Sequence, residues 1–253
     1  MSNRDDTSIG GRDDRFPITR WSAVEASRSS DPVERNRAFE VIVASYWKPV
    51  YKYIRIKWNK SNEDAKDLTQ GFFTRVIEKS FFDSYDPAKS RFRTFLRVCL
   101  EGYLSNEEKA ARRLKRGGDT TSIPLDFENA EGELKSMPIP DPDSMDDYFD
   151  REWTRSLFEL ALDTLGRQCN TNGKEQHFRL FERYYLDEST DGEKLGYREL
   201  ASEFGLPVTS VNNYLALARR EFRRILLEKL RELCAGEDEY RREARSLLGV
   251  DVE

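Results

Sequence analysis

The chain has 253 residues, of which 42 are basic and 47 acidic, for a formal net charge of −5. That length holds one large or two modest domains, and no apolar run is long enough to span a bilayer, so membrane insertion is not expected. Cys99, Cys169 and Cys234 are far apart and odd in number, which argues against a disulfide framework and for a reducing, cytoplasmic setting.

Residues 1–30 carry acids and lack an apolar centre. They read as a partly disordered N-terminal extension rather than a signal peptide. Asp31-Pro32 with Glu34 supplies a cap, a first-turn proline and an early acid, so a helix starts there and runs to about residue 58. Phe39, Ile42, Val43, Tyr46, Val50 and Ile54 share its buried face. After a break at 59–62, Ser61 and Asp64 cap a second helix over about 63–79, with Leu68, Phe72 and Val76 on one apolar line and Phe73 and Ile77 beside it. Asp86-Pro87 marks a loop at 81–90. A third helix spans about 92–113, with Phe92, Phe95, Leu96, Cys99, Leu100, Tyr103 and Leu104 inward, and Gly117-Gly118 stop the basic run that ends it.

Residues 117–143 show no helical period and are rich in proline and acids, so they read as a flexible acidic linker. Helical signal returns at Ser144, where Tyr148, Phe149, Trp153, Leu157, Leu160, Ala161 and Leu165 form a stripe. Another helix covers about 174–186, and an acidic loop occupies 187–194. The segment 197–222 then reads as two short helices joined by a turn. Leu200, Ala201 and Phe204 face inward on the first, Gly205 tolerates positive φ, Pro207 blocks simple continuation, and Thr209 is placed to cap the second. Val211, Leu215, Ala218, Phe222 and Ile225 make one buried face. Asn213, Ala216, Leu217 and Arg220 lie opposite, flanked by Asn212 and Arg219. This is the sequence form of a helix-turn-helix, and Asn and Arg are suited to bidentate contacts with base edges. A short final helix is expected near 238–248. The fold class is all-α, with two helical domains: 31–116 and 144–235, separated by the linker 117–143 and followed by a C-terminal extension, 236–253.

Charge is segregated along the chain. Residues 89–116 hold nine basic and three acidic side chains, whereas 119–152 hold eleven acidic and two basic. A basic block beside an acidic segment is consistent with a DNA-binding surface next to a linker that competes with DNA. His177 is the only histidine and has no paired cysteine nearby, so no metal site is expected; there is no glycine-rich phosphate loop and no convergent nucleophile–base pair, so neither a cofactor nor an enzyme activity is expected.

The succession of elements resembles bacterial RNA polymerase sigma factors of the small, two-domain extracytoplasmic-function (ECF) type, over roughly residues 36–232. The stretch EDAKDLTQGFFTRVIEK, 63–79, is similar to the family's polymerase-binding helix, which implies contacts from Asp67, Leu68, Gln70 and Phe73; Gly71 stands where that family commonly has Glu. FRTFLRVCLEGYLSNEEKAARRLKR, 92–116, resembles the helix and basic end that hold the downstream promoter element. The resemblance implies phosphate attraction by Lys109, Arg112, Arg113, Lys115 and Arg116, with Phe92 and Tyr103 as core residues that are also candidates for base stacking. In the second domain, which resembles the reader of the upstream element, Ala218-Arg219 is retained, while Tyr214 and Leu217 replace two family arginines. The implied DNA contacts are Ser210, Asn212, Asn213, Tyr214, Arg219, Arg220 and Arg223. The partners implied are core RNA polymerase and promoter DNA, with an anti-sigma factor or other inhibitor as a further candidate. The alternative reading is a helix-turn-helix regulator, or a polymerase-binding adaptor that does not direct initiation.

Overall fold

Short-range caps decide where the first helices begin. In the computed structural model, which describes residues 22–79, 81–111, 125–136, 144–186 and 195–249, Ser22 and Glu25 form a reciprocal capping box on α1 (Ala23–Ala26). This helix falls inside the span expected as an extension. It is held by burial of Ala23, Val24 and Ala26, while the Arg28 guanidinium donates to the carbonyls of Phe82 and Tyr85 at 2.9 and 2.7 Å. Asp31 accepts the Val33 amide at 2.9 Å and Pro32 opens α2 (Pro32–Lys57). Asn59 then takes a left-handed conformation, φ 47°, and Ser61 accepts the Asp64 amide to start α3 (Asn62–Glu78). A 3-10 turn, Phe81–Ser84, leads to α4 (Phe92–Ala111).

The span expected to be linker is corrected in part. Phe127–Ser136 form a helix, α5, with Phe127, Ala130 and Glu131 buried. Phe127 meets Trp47 edge-on with ring centres 5.5 Å apart, and the Arg55 guanidinium clasps Glu131 from α2 at 2.8 and 3.0 Å. Residues 112–124 and 137–143 lie outside the described residues. The chain continues as α6 (Met145–Thr171), α7 (Glu175–Tyr185), α8 (Tyr197–Phe204), α9 (Val208–Glu232) and α10 (Glu237–Leu248). Among the described residues the fold is all-α, and no helix is long and apolar enough to cross a membrane.

The apolar core is continuous from α1 to α10, with α2 at its centre. Tyr46 of α2 stacks on Trp153 of α6 at 6.1 Å and meets Phe92 of α4 edge-on at 5.8 Å, so three helices share one aromatic cluster. A smaller cluster of Leu180, Leu200, Ala201, Val211 and Leu215 joins α7, α8 and the first half of α9. Charges tie the same layers together. Lys52, 1% exposed, is paired with Glu133 of α5 at 2.7 Å and Glu152 of α6 at 2.6 Å, while Lys48 joins Glu133 and Glu159.

The Glu131 pair makes the α5 contact sensitive to acid. Hydrogen bonds from Arg55, then from Tyr51, outweigh burial and hold the carboxyl down to about 2. A carboxyl depressed on folding contributes stability that is whole above its ordinary value of 4.5 and is lost as pH falls toward 2. With allowance for the partly exposed guanidinium, that contribution is on the order of 2–3 kcal/mol. Urea unfolding of wild type and Glu131→Gln should therefore give stabilities that converge across this window. A gap that stays constant would contradict the pairing.

Candidate nucleic-acid interface

The α3 surface follows from its capping and its apolar phase. Ala65, Thr69, Phe72, Phe73 and Val76 face the core, which turns Glu63, Asp64 and Asp67 outward and leaves Gln70 half-exposed. Leu68 is half-buried against the core. Phe73, expected among the contact residues, is 1% exposed, with its ring 5.3 Å from that of Phe72. It therefore shapes the helix from within and offers no surface of its own. Gly71 has a steric reason: a Cβ there would lie 2.5 Å from the Tyr103 hydroxyl oxygen of α4. Tyr103 is 9% exposed and its burial pushes the phenol up to about 12, so α3 and α4 approach closely over a protonated, buried ring.

On α4, Phe92 and Tyr103 are core residues. The outward stripe is instead Val98, Gly102, Asn106 and Lys109, at helical steps of four, four and three. Val98 is 55% exposed. Its signal in the sequence was that it falls out of phase with Leu96, Leu100 and Tyr103. Of the basic residues expected to attract phosphate, Lys109 is exposed, and Arg112, Arg113, Lys115 and Arg116 lie outside the described residues. The arginines earlier in the basic block are occupied. Arg91 is 3.0 Å from Glu243, Arg93 is paired with Glu243 and lies 3.0 Å from Asp150, and Arg97 is 2.6 Å from Asp146.

The α8–α9 segment is built by its turn. Glu199 accepts the Gly196 amide at 2.7 Å at the start of α8; at its end Gly205 is left-handed at φ 63°, and the Leu206 amide returns to the Ala201 carbonyl at 2.9 Å. Pro207, not Thr209, precedes the first turn of α9, with its carbonyl accepting the Ser210 and Val211 amides; Thr209 is exposed within the helix. Val211, Leu215 and Ala218 are buried, so Asn212, Asn213, Ala216, Leu217, Arg219, Arg220 and Arg223 face solvent and Ser210 is half-buried.

These side chains differ in availability. The Arg219 Nε donates to the Leu215 carbonyl at 3.3 Å, and Arg224 is held by Glu221, Glu228 and Gln168. Arg220 and Arg223 have no ion-pair partner among the described residues. Tyr214 is half-buried, its ring stacked on His177 of α7 at 4.0 Å, so one ring face is already taken. Burial, then the nearby Lys174 charge, lowers the His177 pKa and favours the neutral ring in that stack. The resulting α9 face presents amides, guanidinium groups and the exposed Leu217, and an α-helix has the diameter that a major groove admits.

Burial raises all three cysteine thiols, Cys99 to about 11, which keeps them protonated near neutrality. Among the described residues no group of three His, Cys, Asp or Glu side chains is placed to hold a metal ion. Scans against models of protein families, the curated proteins and the solved structures found no match to this chain.

Proposed function

We propose that this chain is a sigma factor of the ECF type, which joins core RNA polymerase in the cytoplasm and directs initiation at a restricted set of promoters. The observation that carries the reading is the solvent face of α9. Asn212, Asn213, Arg220 and Arg223 are exposed on the helix that follows a left-handed glycine turn, and the two arginines have no ion-pair partner among the described residues, as suits the second helix of a helix-turn-helix. In this reading α8 and α9 address duplex DNA of an upstream element. The outward stripe of α4, Val98, Gly102, Asn106 and Lys109, faces the downstream element once it is unpaired.

The protein's contribution is binding energy. Arg219 and Arg223 meet phosphates and set register, while Asn213 and Arg220 carry sequence preference. Tyr214 and Leu217 contribute shape in place of the charges that the family usually has there. Asp67 and Gln70 of α3 dock on core polymerase, and Phe73 supports them from below. The assignment gives the chain no catalytic group and no cofactor. The adaptor alternative draws on the occupied arginines Arg91, Arg93 and Arg97, which lessen the charge available to hold DNA.

Replacing Asp67 and Gln70 together by Ala should weaken the affinity for core polymerase at least tenfold while changing stability by less than about 1 kcal/mol, since exposed positions away from caps and cores tolerate substitution. Titration with labelled protein reads this directly. Unchanged affinity in a protein that melts normally would remove α3 as the docking surface.

A further inference from the structure

The C-terminal helix α10 inserts two carboxylates into the start of α4. Glu239 and Glu243 are 4% and 2% exposed, unusual burial for acids. One Glu239 oxygen accepts the Phe92 amide at 2.7 Å, so a residue 147 positions away caps the first turn of α4. Its other oxygen accepts from the Tyr85 hydroxyl at 3.2 Å and from the Ala235 amide at 2.9 Å. Glu243 lies between Arg91 and Arg93, and the Arg93 guanidinium in turn sits 4.7 Å over the Trp153 ring of α6. Negative charge is favoured here twice, by the helix N-terminus and by the two arginines.

Apolar anchoring of α10 is slight by comparison. Tyr240 and Ala244 are its buried apolar side chains, with Leu247 and Leu248 partly covered. A helix of 12 residues is marginal on its own in water, so α10 depends on this dock. A short stretch, Leu233 to Gly236, connects it to α9. The same contact therefore neutralises two arginines of the basic block, fixes the first turn of α4, and fastens α9 to α4.

We propose that α10 is an intramolecular latch whose two carboxylates hold α4 closed, and that its release is what hands α4 to single-stranded promoter DNA. This rests on the sigma-factor reading of α4. Opening frees Arg91 for phosphate, leaves Arg93 with Asp150 as its partner, and leaves the first turn of α4 without its distant cap.

The test compares the full chain with the Glu239→Gln/Glu243→Gln variant. Hydrogen exchange reports the amides of α10 and of the first turn of α4, circular dichroism reports helix content, and titration with a single-stranded oligonucleotide reports binding. Should the double variant lose native helix content, Glu243→Gln alone is measured in the same way. The latch predicts at least tenfold faster exchange at both places, native helix content elsewhere, and about fivefold tighter oligonucleotide binding. Unchanged exchange would overturn it. So would faster exchange with unchanged affinity, which would leave α10 a structural prop. Absence of oligonucleotide binding by both proteins, and of any affinity for core polymerase, would instead remove the sigma-factor reading and the latch with it.

Discussion

Lys52→Met should lower the stability of this protein by about 3–5 kcal/mol, the range found when one member of a buried ion pair is removed. The Lys52 ammonium is 2.6 Å from Glu152 and 2.7 Å from Glu133, and the Glu152 side chain is 3% exposed. Methionine matches the lysine stem in length, so little packing is lost; the cost is a carboxylate left in the core without its cation. Arg155 also reaches Glu152 at 3.1 Å and is itself 46% exposed, so it retains part of the compensation. For a chain of this size the loss corresponds to a melting temperature lower by about 10 °C. Replacing Glu152 by Gln in the same background should restore about half of it, because the buried negative charge is then gone. A Lys52→Met variant that melts within a degree or two of wild type would show that α2, α5 and α6 do not meet around this ammonium.

The second large effect concerns DNA. Asn213→Ala with Arg220→Ala should reduce affinity for a preferred duplex by about 2–4 kcal/mol, each base-reading side chain being worth about 1–3 kcal/mol. Affinity for unrelated duplexes should fall far less. Arg223→Ala should behave differently, weakening all sequences alike and lowering the dependence of log affinity on log salt by about one. Both residues of the double variant are exposed, so their substitution leaves the α9 core of Val211, Leu215 and Ala218 intact. Equal losses on preferred and unrelated duplexes would assign this face to phosphate attraction alone.

What could be read in the sequence was local. Asp31-Pro32, Ser61 and Gly205 act on amides and carbonyls within a few residues, so the starts of α2 and α3 and the turn before α9 follow from the chain itself. The α9 face was legible for the same reason, as the complement of an apolar stripe. α5 was not, because its buried side is Phe127, Ala130 and Glu131, and the glutamate belongs inside only where Arg55 meets it. The α10 contact is hidden in the same way: Glu239, Glu243 and Arg93 look like solvated charges until α4 and α10 are brought together. Periodicity counts apolar residues, and these elements bury their polar ones. Phe73 is lost to the core and Tyr214 keeps only part of its ring exposed for a related reason. The cover over each comes from the surrounding fold, and for Tyr214 it is His177, 37 positions away.

Transcription itself tests the proposal that the chain directs initiation. The purified protein, added to core RNA polymerase with a genomic DNA library as template, should produce transcripts whose start sites share two spaced upstream elements, and the Asn213/Arg220 variant should lose those starts selectively. Polymerase binding without any specific start would contradict the claim and leave an adaptor, and DNA binding without polymerase binding would leave a conventional regulator.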